Sequence, residues 1–262
     1  MRSQIAKFWL LFFLCDIIDL VINMVISSPG NNFFKDLMKL KQKKYRLQTN
    51  QFLVEGLHLV KEAIACGLCL EVISKDKVTF WNKDTVVLSE SLLRLLSDVE
   101  EPQDIFALCQ MRTDFSLGNR ILLLDGIQDP GNLGTLLRSA KAFGFETVIF
   151  ENTVDLYNSK VIRSTQGAIF LMTCRQAVLS SFMKEHREYH YIGTDVKLGT
   201  PLNEAKISSE KIGLLLGNEA QGVRKELMDL TQSSVTIEMG GMESINVGVA
   251  GGIIMYRFRG KK

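Results

Sequence analysis

From Arg120 to the C-terminus the chain alternates short apolar runs with helical patterns, and this constrains its fold more than any other feature. Ile121–Leu124, Val148–Phe150, the residues around Ile192, and Ile212–Leu216 are apolar runs; Ser234–Ile237 is a shorter one. Continuous apolar runs of this length suit strands buried on both faces. Between them lie helical stretches such as Leu133–Phe143, with Leu133, Leu136, Leu137 and Ala140 on one stripe. The alternation predicts an α/β fold with a largely parallel sheet covered by helices on both sides. Ligands in such sheets bind at the carboxyl ends of the strands.

Three loops at those ends carry unusual residues. The first, Asp125–Gly134, holds Asn132, well placed to cap the following helix. Arg138 lies just off that helix's apolar stripe, as a surface arginine or as part of a site. In the second, three leucines deliver the chain into Gly217-Asn218-Glu219-Ala220-Gln221-Gly222. A glutamate directly after a buried strand is badly placed for solubility alone and points to a site. The third, Met239–Val247, opens a C-terminal helix that runs through Tyr256, with Ser244 and Asn246 at its start as caps or site residues. Gly248, Gly251 and Gly252 lie inside that helix although each costs about 1 kcal/mol there. Their spacing predicts a tight helix interface, within the chain or between subunits. No strand leads into G-x-G-x-x-G, and neither a G-x-x-x-x-G-K-[ST] loop nor a G-x-S-x-G elbow occurs. Hydride transfer, ATP hydrolysis and serine hydrolysis are disfavoured accordingly.

Upstream, residues 34–47 concentrate Lys35, Lys39, Lys41, Lys43, Lys44 and Arg46 against Asp36. The whole chain carries a net charge of only +2, so this segment stands out against a net negative remainder. Read as one helix, it puts Lys35, Lys39 and Lys43 on one face and Phe33, Leu37 and Leu40 on another. Such a stripe suits a nucleic-acid backbone, because each neutralised phosphate releases a counterion; a solvated surface helix is the plainer alternative. Strand-like runs at Phe52–Val54, Leu70–Ile73, Val86–Leu88 and Ile105–Cys109 follow. A helix from Leu57 to Gly67, and another over Ser91–Val99 with Leu92, Leu95 and Leu96 on one side, complete a small α/β sandwich. Thr113–Asn119 reads as a linker. The expected organisation is an extension over residues 1–30, a small α/β domain over 31–113 and a parallel-sheet domain over 120–262.

Residues 8–26 are the one stretch apolar enough to consider for a membrane, but Asp16, Asp19 and Asn23 interrupt it. Each aspartate would cost roughly 2.5–3.5 kcal/mol near the centre of a span. A packed or peripheral helix, a targeting or anchor segment, and a non-native extension ahead of a start at Met24 are the readings left open, and no stable membrane partner is expected. The 5 cysteines are too sparse for a disulfide framework and fit reduced thiols in the cytoplasm. Cys66 and Cys69 form a lone C-x-x-C without a second pair, so packed thiols are expected rather than a metal site.

Taken together, Asn132-Leu-Gly-Thr-Leu-Leu-Arg138-Ser-Ala, Leu216-Gly217-Asn-Glu219-Ala-Gln-Gly222 and Glu243-Ser-Ile-Asn246-Val-Gly-Val-Ala resemble, in order and spacing, the SpoU (TrmH) family of RNA ribose 2′-O-methyltransferases. Lys160-Val-Ile-Arg163-Ser-Thr-Gln-Gly167-Ala is similar to the same family. The basic segment and Phe52-Leu-Val-Glu-Gly56 resemble, less specifically, its N-terminal substrate-binding domain.

The resemblance implies a trefoil-knotted α/β (SPOUT) methyltransferase domain at 120–262 and a smaller α/β RNA-binding domain at 31–113. It implies S-adenosylmethionine as donor, no metal, a homodimer through the C-terminal domain, and RNA as substrate, ribosomal RNA ahead of transfer RNA. Gly217, Ile237 and Ile245 match donor-contacting positions, with Leu216, Asn218 and Met239 beside them. Arg138 matches the catalytic arginine; with a pKa above about 12 it suits orienting a ribose hydroxyl and stabilising an alkoxide better than general-base work. Asn132, Glu219, Ser244 and Asn246 would shape the pocket. Arg163, Lys35, Lys39, Lys43, Lys44 and Arg46 would take RNA phosphates. Glu238 and Gly248 stand where relatives often carry proline and serine. With the basic segment, the third-loop departures motivate an alternative: a non-catalytic RNA-binding or ribosome-assembly factor that keeps the fold.

Overall fold

The computed structural model describes residues 25–77, 79–80, 83–242 and 244–260. The expectations for residues 1–23 and for Glu243 lie outside the described residues. The chain divides into two compact units, one ending at Gln110 and the other beginning at Met111.

The first unit opens with two helices, α1 (Asn32–Lys39) and α2 (Lys43–Thr49), where one basic helix was expected. Bonds from the N–H groups of Leu40, Lys41 and Gln42 to carbonyls three residues back tighten and end α1. The guanidinium of Arg46 then donates to the carbonyls of Leu40 (2.6 Å) and Lys41 (2.9 Å). A cation at a helix C-terminus satisfies carbonyls that have no intrahelical partner. Arg46 is therefore buried, and the expectation that it faces an RNA phosphate is overturned. Lys43 begins a new helix, so the single-helix stripe stops at Lys39. Lys35, Lys39, Lys43 and Lys44 remain exposed.

Strands β1 (Gln51–Glu55), β2 (Cys69–Ser74), β3 (Thr79–Phe80), β4 (Lys83–Val87) and β5 (Ile105–Gln110) form one mixed sheet in the order β1-β5-β2-β4-β3. Helix α3 (Leu57–Ala65) follows β1, and α4 (Glu90–Leu96) follows β4. Phe34, Leu37, Leu88, Leu92, Leu93 and Phe106 share the core. Leu93 takes the inward place expected of Leu95, which is exposed. Cys66 and Cys69 are not joined by a disulfide.

The second unit runs β6 (Arg120–Asp125), α5 (Pro130–Ala142), β7 (Thr147–Glu151), α6 (Ser159–Thr165), β8 (Thr173–Gln176), α7 (Leu179–Glu185), β9 (His190–Thr194), β10 (Thr200–Pro201), β11 (Ile212–Gly217), α8 (Lys225–Met228), β12 (Ser233–Thr236) and α9 (Val247–Arg257). Its seven strands are all parallel, in the order β10-β12-β9-β11-β6-β7-β8. Ile121, Leu123 and Leu215 pack with Leu179, Phe182 and Leu227 of α7 and α8. Side chains alternate across a strand, so Leu122, Leu124 and Leu216 are buried on the opposite face.

Strand order locates the crevice. From β6 the chain steps outward to β7 and β8; from β11 it hands on to β12, beyond β9. Neighbouring β6 and β11 therefore send their loops in opposite directions, which is the topological switch point of such sheets. Helix α9 packs on α5 and β11 through its glycines. A methyl added at Gly251 would stand 2.4 Å from Leu136 and 2.8 Å from Leu216, and one at Gly248 would stand 3.1 Å from Thr135. Gly248 and Gly251 serve packing within the chain. Val249, Ile253 and Tyr256, on the same helix, are exposed.

Among the described residues no group of three or more His, Cys, Asp or Glu is placed to hold a metal ion. No helix among them is long and apolar enough to cross a membrane.

Candidate active site

The first loop enters α5 through Asp129, not Asn132. The Asp129 carboxylate accepts the Asn132 N–H at 2.8 Å, and Pro130 fills the first helical position. Proline there needs no donor and has its φ pre-set for a helix, so α5 starts three residues before the apolar pattern does. Asn132 is thereby released from capping, and its side chain reaches across the crevice.

Asn132 Nδ2 donates to Glu219 Oε1 at 3.0 Å, and Asn132 Oδ1 accepts from Asn246 Nδ2 at 2.8 Å. Asn246 caps α9, its Oδ1 accepting the N–H groups of Gly248 (2.9 Å) and Val249 (3.2 Å). That cap dictates every orientation that follows. An oxygen facing the helix leaves Asn246 only its NH2 for Asn132, so Asn132 must offer its oxygen to Asn246 and its NH2 to Glu219. The relay ends on a carboxylate, which is a pure acceptor only when ionised. Burial pushes the Glu219 pKa up. Hydrogen bonds from Asn132 and from the N–H groups of Glu219, Asp129 and Gln128 outweigh it and hold the carboxyl below its usual range.

The second loop is a tight hairpin. The Asn218 N–H donates to the Gly222 carbonyl at 3.1 Å, and the Gly222 N–H returns to Asn218 at 2.9 Å. A Cβ on Gly217 would lie 2.2 Å from backbone atoms of Gly222 and Val223, so only glycine permits this fold-back. Asn218 Nδ2 ties the hairpin to the first loop through the Gly126 carbonyl at 2.8 Å. Strand β9 pairs with β11 only through Ile212–Leu214, and its later residues pair with β12. Among the described residues Leu215, Leu216 and Gly217 have no ladder partner on that side, although the Leu215 carbonyl accepts from Thr194 Oγ1 at 3.2 Å.

Ile237 and Met239 continue beyond β12, both half-buried, while Ile245 and Ser244 are exposed. Ser244 has no hydrogen-bond partner among the described residues and is not the cap. Arg138 is exposed and, among the described residues, has neither hydrogen-bond nor ion-pair partner. Arg163 lies on α6, its Nη1 buried and without a hydrogen-bond partner among the described residues. A Cβ on Gly134 would meet Ser164 at 2.2 Å, so α5 and α6 cross in close contact.

The sequence reading missed a cluster beside the hairpin. Arg224 Nε donates to Asp125 Oδ1 at 2.8 Å, Nη2 to Glu151 Oε2 at 2.6 Å and Nη1 to Glu226 at 2.9 Å. Its backbone N–H also donates to Asp125 Oδ2 at 3.0 Å. Burial opposes the charge on Arg224, but its bonds to Glu151 and Asp125 more than offset this and raise its pKa. The available signal was an acidic residue closing each of two apolar runs, at Asp125 and Glu151.

Residues 119–256 match the SpoU rRNA Methylase family, and residues 31–107 match the MRM3-like substrate binding domain. The 23S rRNA (guanosine(2553)-2′-O)-methyltransferase RlmP of Bacillus subtilis is 36% identical over 246 residues, covering 90% of this chain and 99% of its own. The 23S rRNA (guanosine-2′-O-)-methyltransferase RlmB of Coxiella burnetii is 27% identical, over 76% of this chain and 79% of its own. An rRNA methyltransferase from Sinorhizobium meliloti, solved also with AdoMet bound, aligns with a TM-score of 0.78 at 26% identity, over 89% of this chain and 96% of that one. With more than half of its length and all three loops inside the first match, the chain belongs to the SpoU rRNA methylase family.

Proposed function

We propose that this protein transfers a methyl group from S-adenosylmethionine to a ribose 2′-hydroxyl of ribosomal RNA, with transfer RNA the second choice. The observation that carries this reading is the relay Asn246–Asn132–Glu219, which ties three loops together at the switch point. Bound S-adenosylmethionine supplies an electrophilic methyl on a sulfonium. The hairpin supports such a ligand: among the described residues Leu216 and Gly217 have no register partner on β9, so backbone groups on that buried edge are not spent on a strand ladder. Asn218, Ile237, Met239 and Ile245 line the same end of the sheet.

A ribose hydroxyl is a weak nucleophile. We assign Arg138 to hold it and to stabilise the charge developing on its oxygen. Asn132, Glu219 and Asn246 fix the walls of the site, and Ser244 borders it. Residues 120–262 form the methyltransferase domain, and residues 31–113 form the RNA-binding domain, with Lys35, Lys39, Lys43 and Lys44 on phosphates. Arg163, half-buried on α6, is assigned to another phosphate. The exposed stripe Val249, Ile253 and Tyr256 on α9 supports a homodimer through the second unit. Acting on ribosomal RNA, the enzyme works in the cytoplasm.

The test is incubation of the protein with methyl-labelled donor and unmodified ribosomal or transfer RNA, then nucleoside analysis by mass spectrometry. A labelled 2′-O-methyl nucleoside from ribosomal RNA is expected; donor binding without transfer to either RNA contradicts the reading. Gly217→Ala must displace the hairpin backbone, and we expect donor affinity to fall about tenfold or more, measured by calorimetry. Replacing both Lys35 and Lys39 with glutamine should flatten the salt dependence of RNA binding, the log–log slope dropping by about 0.7–0.9 for each phosphate no longer neutralised. An unchanged slope removes these lysines from the RNA interface.

A further inference from the structure

We propose that Arg224 is a positioning residue for donor binding, anchoring the return limb of the Gly217–Gly222 hairpin to the ends of β6 and β7. This rests on the reading of that hairpin as the donor site. The outgoing limb is fixed by the sheet, because Gly217 is in ladder register with Asp125. Among the described residues the return limb joins no sheet strand; the single Asn218–Gly222 bridge holds it to the outgoing limb, and it leaves the hairpin at Gly222 with Arg224 two residues on. There both the backbone N–H and Nε of Arg224 hold Asp125, while Nη2 holds Glu151. Asp125 and Glu151 are themselves register partners on adjacent strands. One side chain thus bridges the ends of two neighbouring strands, β6 and β7.

The anchor is rigid on its far side as well. Glu151 Oε2 accepts the Leu179 N–H at 3.0 Å, which pins that carboxylate to the start of α7. Asp125 is only 3% exposed, and a buried carboxylate is costly without a paired charge. A lysine is a single point charge and cannot reproduce the planar fork that addresses both carboxylates. The Arg224 side chain spends its hydrogen bonds on Asp125, Glu151 and Glu226, away from Asn132, Glu219 and Asn246. Loss of Arg224 should therefore lower the fraction of molecules with a competent hairpin while leaving the transfer machinery in place. If that fraction falls to about a tenth, the apparent Kd for donor rises about tenfold.

The experiment measures S-adenosylmethionine binding by calorimetry, steady-state kinetics and Tm on the full chain, for wild type, Arg224→Met, Arg224→Lys, Glu226→Gln and the double variant Asp125→Asn with Arg224→Met. We expect Arg224→Met to raise Kd and KM for the donor about tenfold, with kcat at saturating donor and RNA affinity nearly unchanged. Arg224→Lys should not restore affinity, and Glu226→Gln should keep it. The double variant removes the more buried of the two carboxylates left unpaired, so it should regain much of the lost Tm without regaining donor affinity, and it covers the case in which Arg224→Met folds poorly. Donor affinity that recovers together with Tm would reduce Arg224 to a structural ion pair and overturn the inference. Wild type that binds donor beside an Arg224→Met variant that binds it equally overturns this inference alone. Wild type that binds no donor overturns the donor reading, and this inference with it.

Discussion

Arg138→Ala is expected to lower kcat for methyl transfer by about 10²–10³ while donor affinity and Tm stay near wild type. The stability half of that expectation follows from exposure. Arg138 makes no hydrogen bond or ion pair among the described residues, and surface substitutions of this kind usually stay within about 0.5 kcal/mol. Its position accounts for the activity half. Arg138 sits on α5 six residues beyond Asn132, about 1.7 turns along the helix whose first turn carries the relay. We expect its guanidinium, without a partner among the described residues, to be available to a developing oxyanion. Arg138→Lys keeps a charge but loses the fork, so an intermediate rate is expected. Single-turnover transfer with saturating donor and RNA measures this directly. Full transfer by the alanine variant would remove Arg138 from the reaction.

The sequence exposes what is set by local pattern and hides what depends on tertiary partners. Continuous runs such as Ile121–Leu124 and Ile212–Leu216 announced a doubly covered parallel sheet, because nothing else buries every side chain of a short strand. The loops at their ends followed from that topology. Asn132 was misplaced as a cap because asparagine is a favoured capping residue; the preceding Asp129-Pro130 pair competes better for the helix start. The break between α1 and α2 carries neither glycine nor proline, and a buried Arg46 capping the carbonyls of Leu40 and Lys41 is indistinguishable, in composition, from a surface arginine. The glycines of α9 correctly signalled close approach, but the pattern cannot say whether the neighbour is α5 of the same chain or another subunit. Arg224 was invisible for a similar reason: its partners lie 99 and 73 residues away.

Asn132→Asp should be among the most damaging isosteric changes in the protein, with a distinctive pH signature. It replaces the NH2 group 3.0 Å from Glu219 Oε1 with a carboxylate oxygen. Two carboxylates at that distance cannot both ionise cheaply, so the pair takes up a proton at a raised pKa. In wild type the Glu219 pKa is lowered in the folded state. The stabilisation from its ionised form is therefore present above the unfolded-state pKa and is lost only as pH falls through the lower, folded value. The wild-type relay should accordingly hold through the mildly acidic range. In Asn132→Asp the sign reverses: mild acid supplies the one proton that restores a donor between the two side chains. Relative to wild type at each pH, kcat/KM should be down about 10²-fold at alkaline pH and should recover several-fold on acidification. Asn132→Leu also breaks the relay but has nothing to protonate, so its deficit should be independent of pH. Profiles for the three proteins, each divided by wild type, separate the cases. An Asn132→Asp deficit that does not shrink in acid would show that the contact with Glu219 is not what organises the three loops.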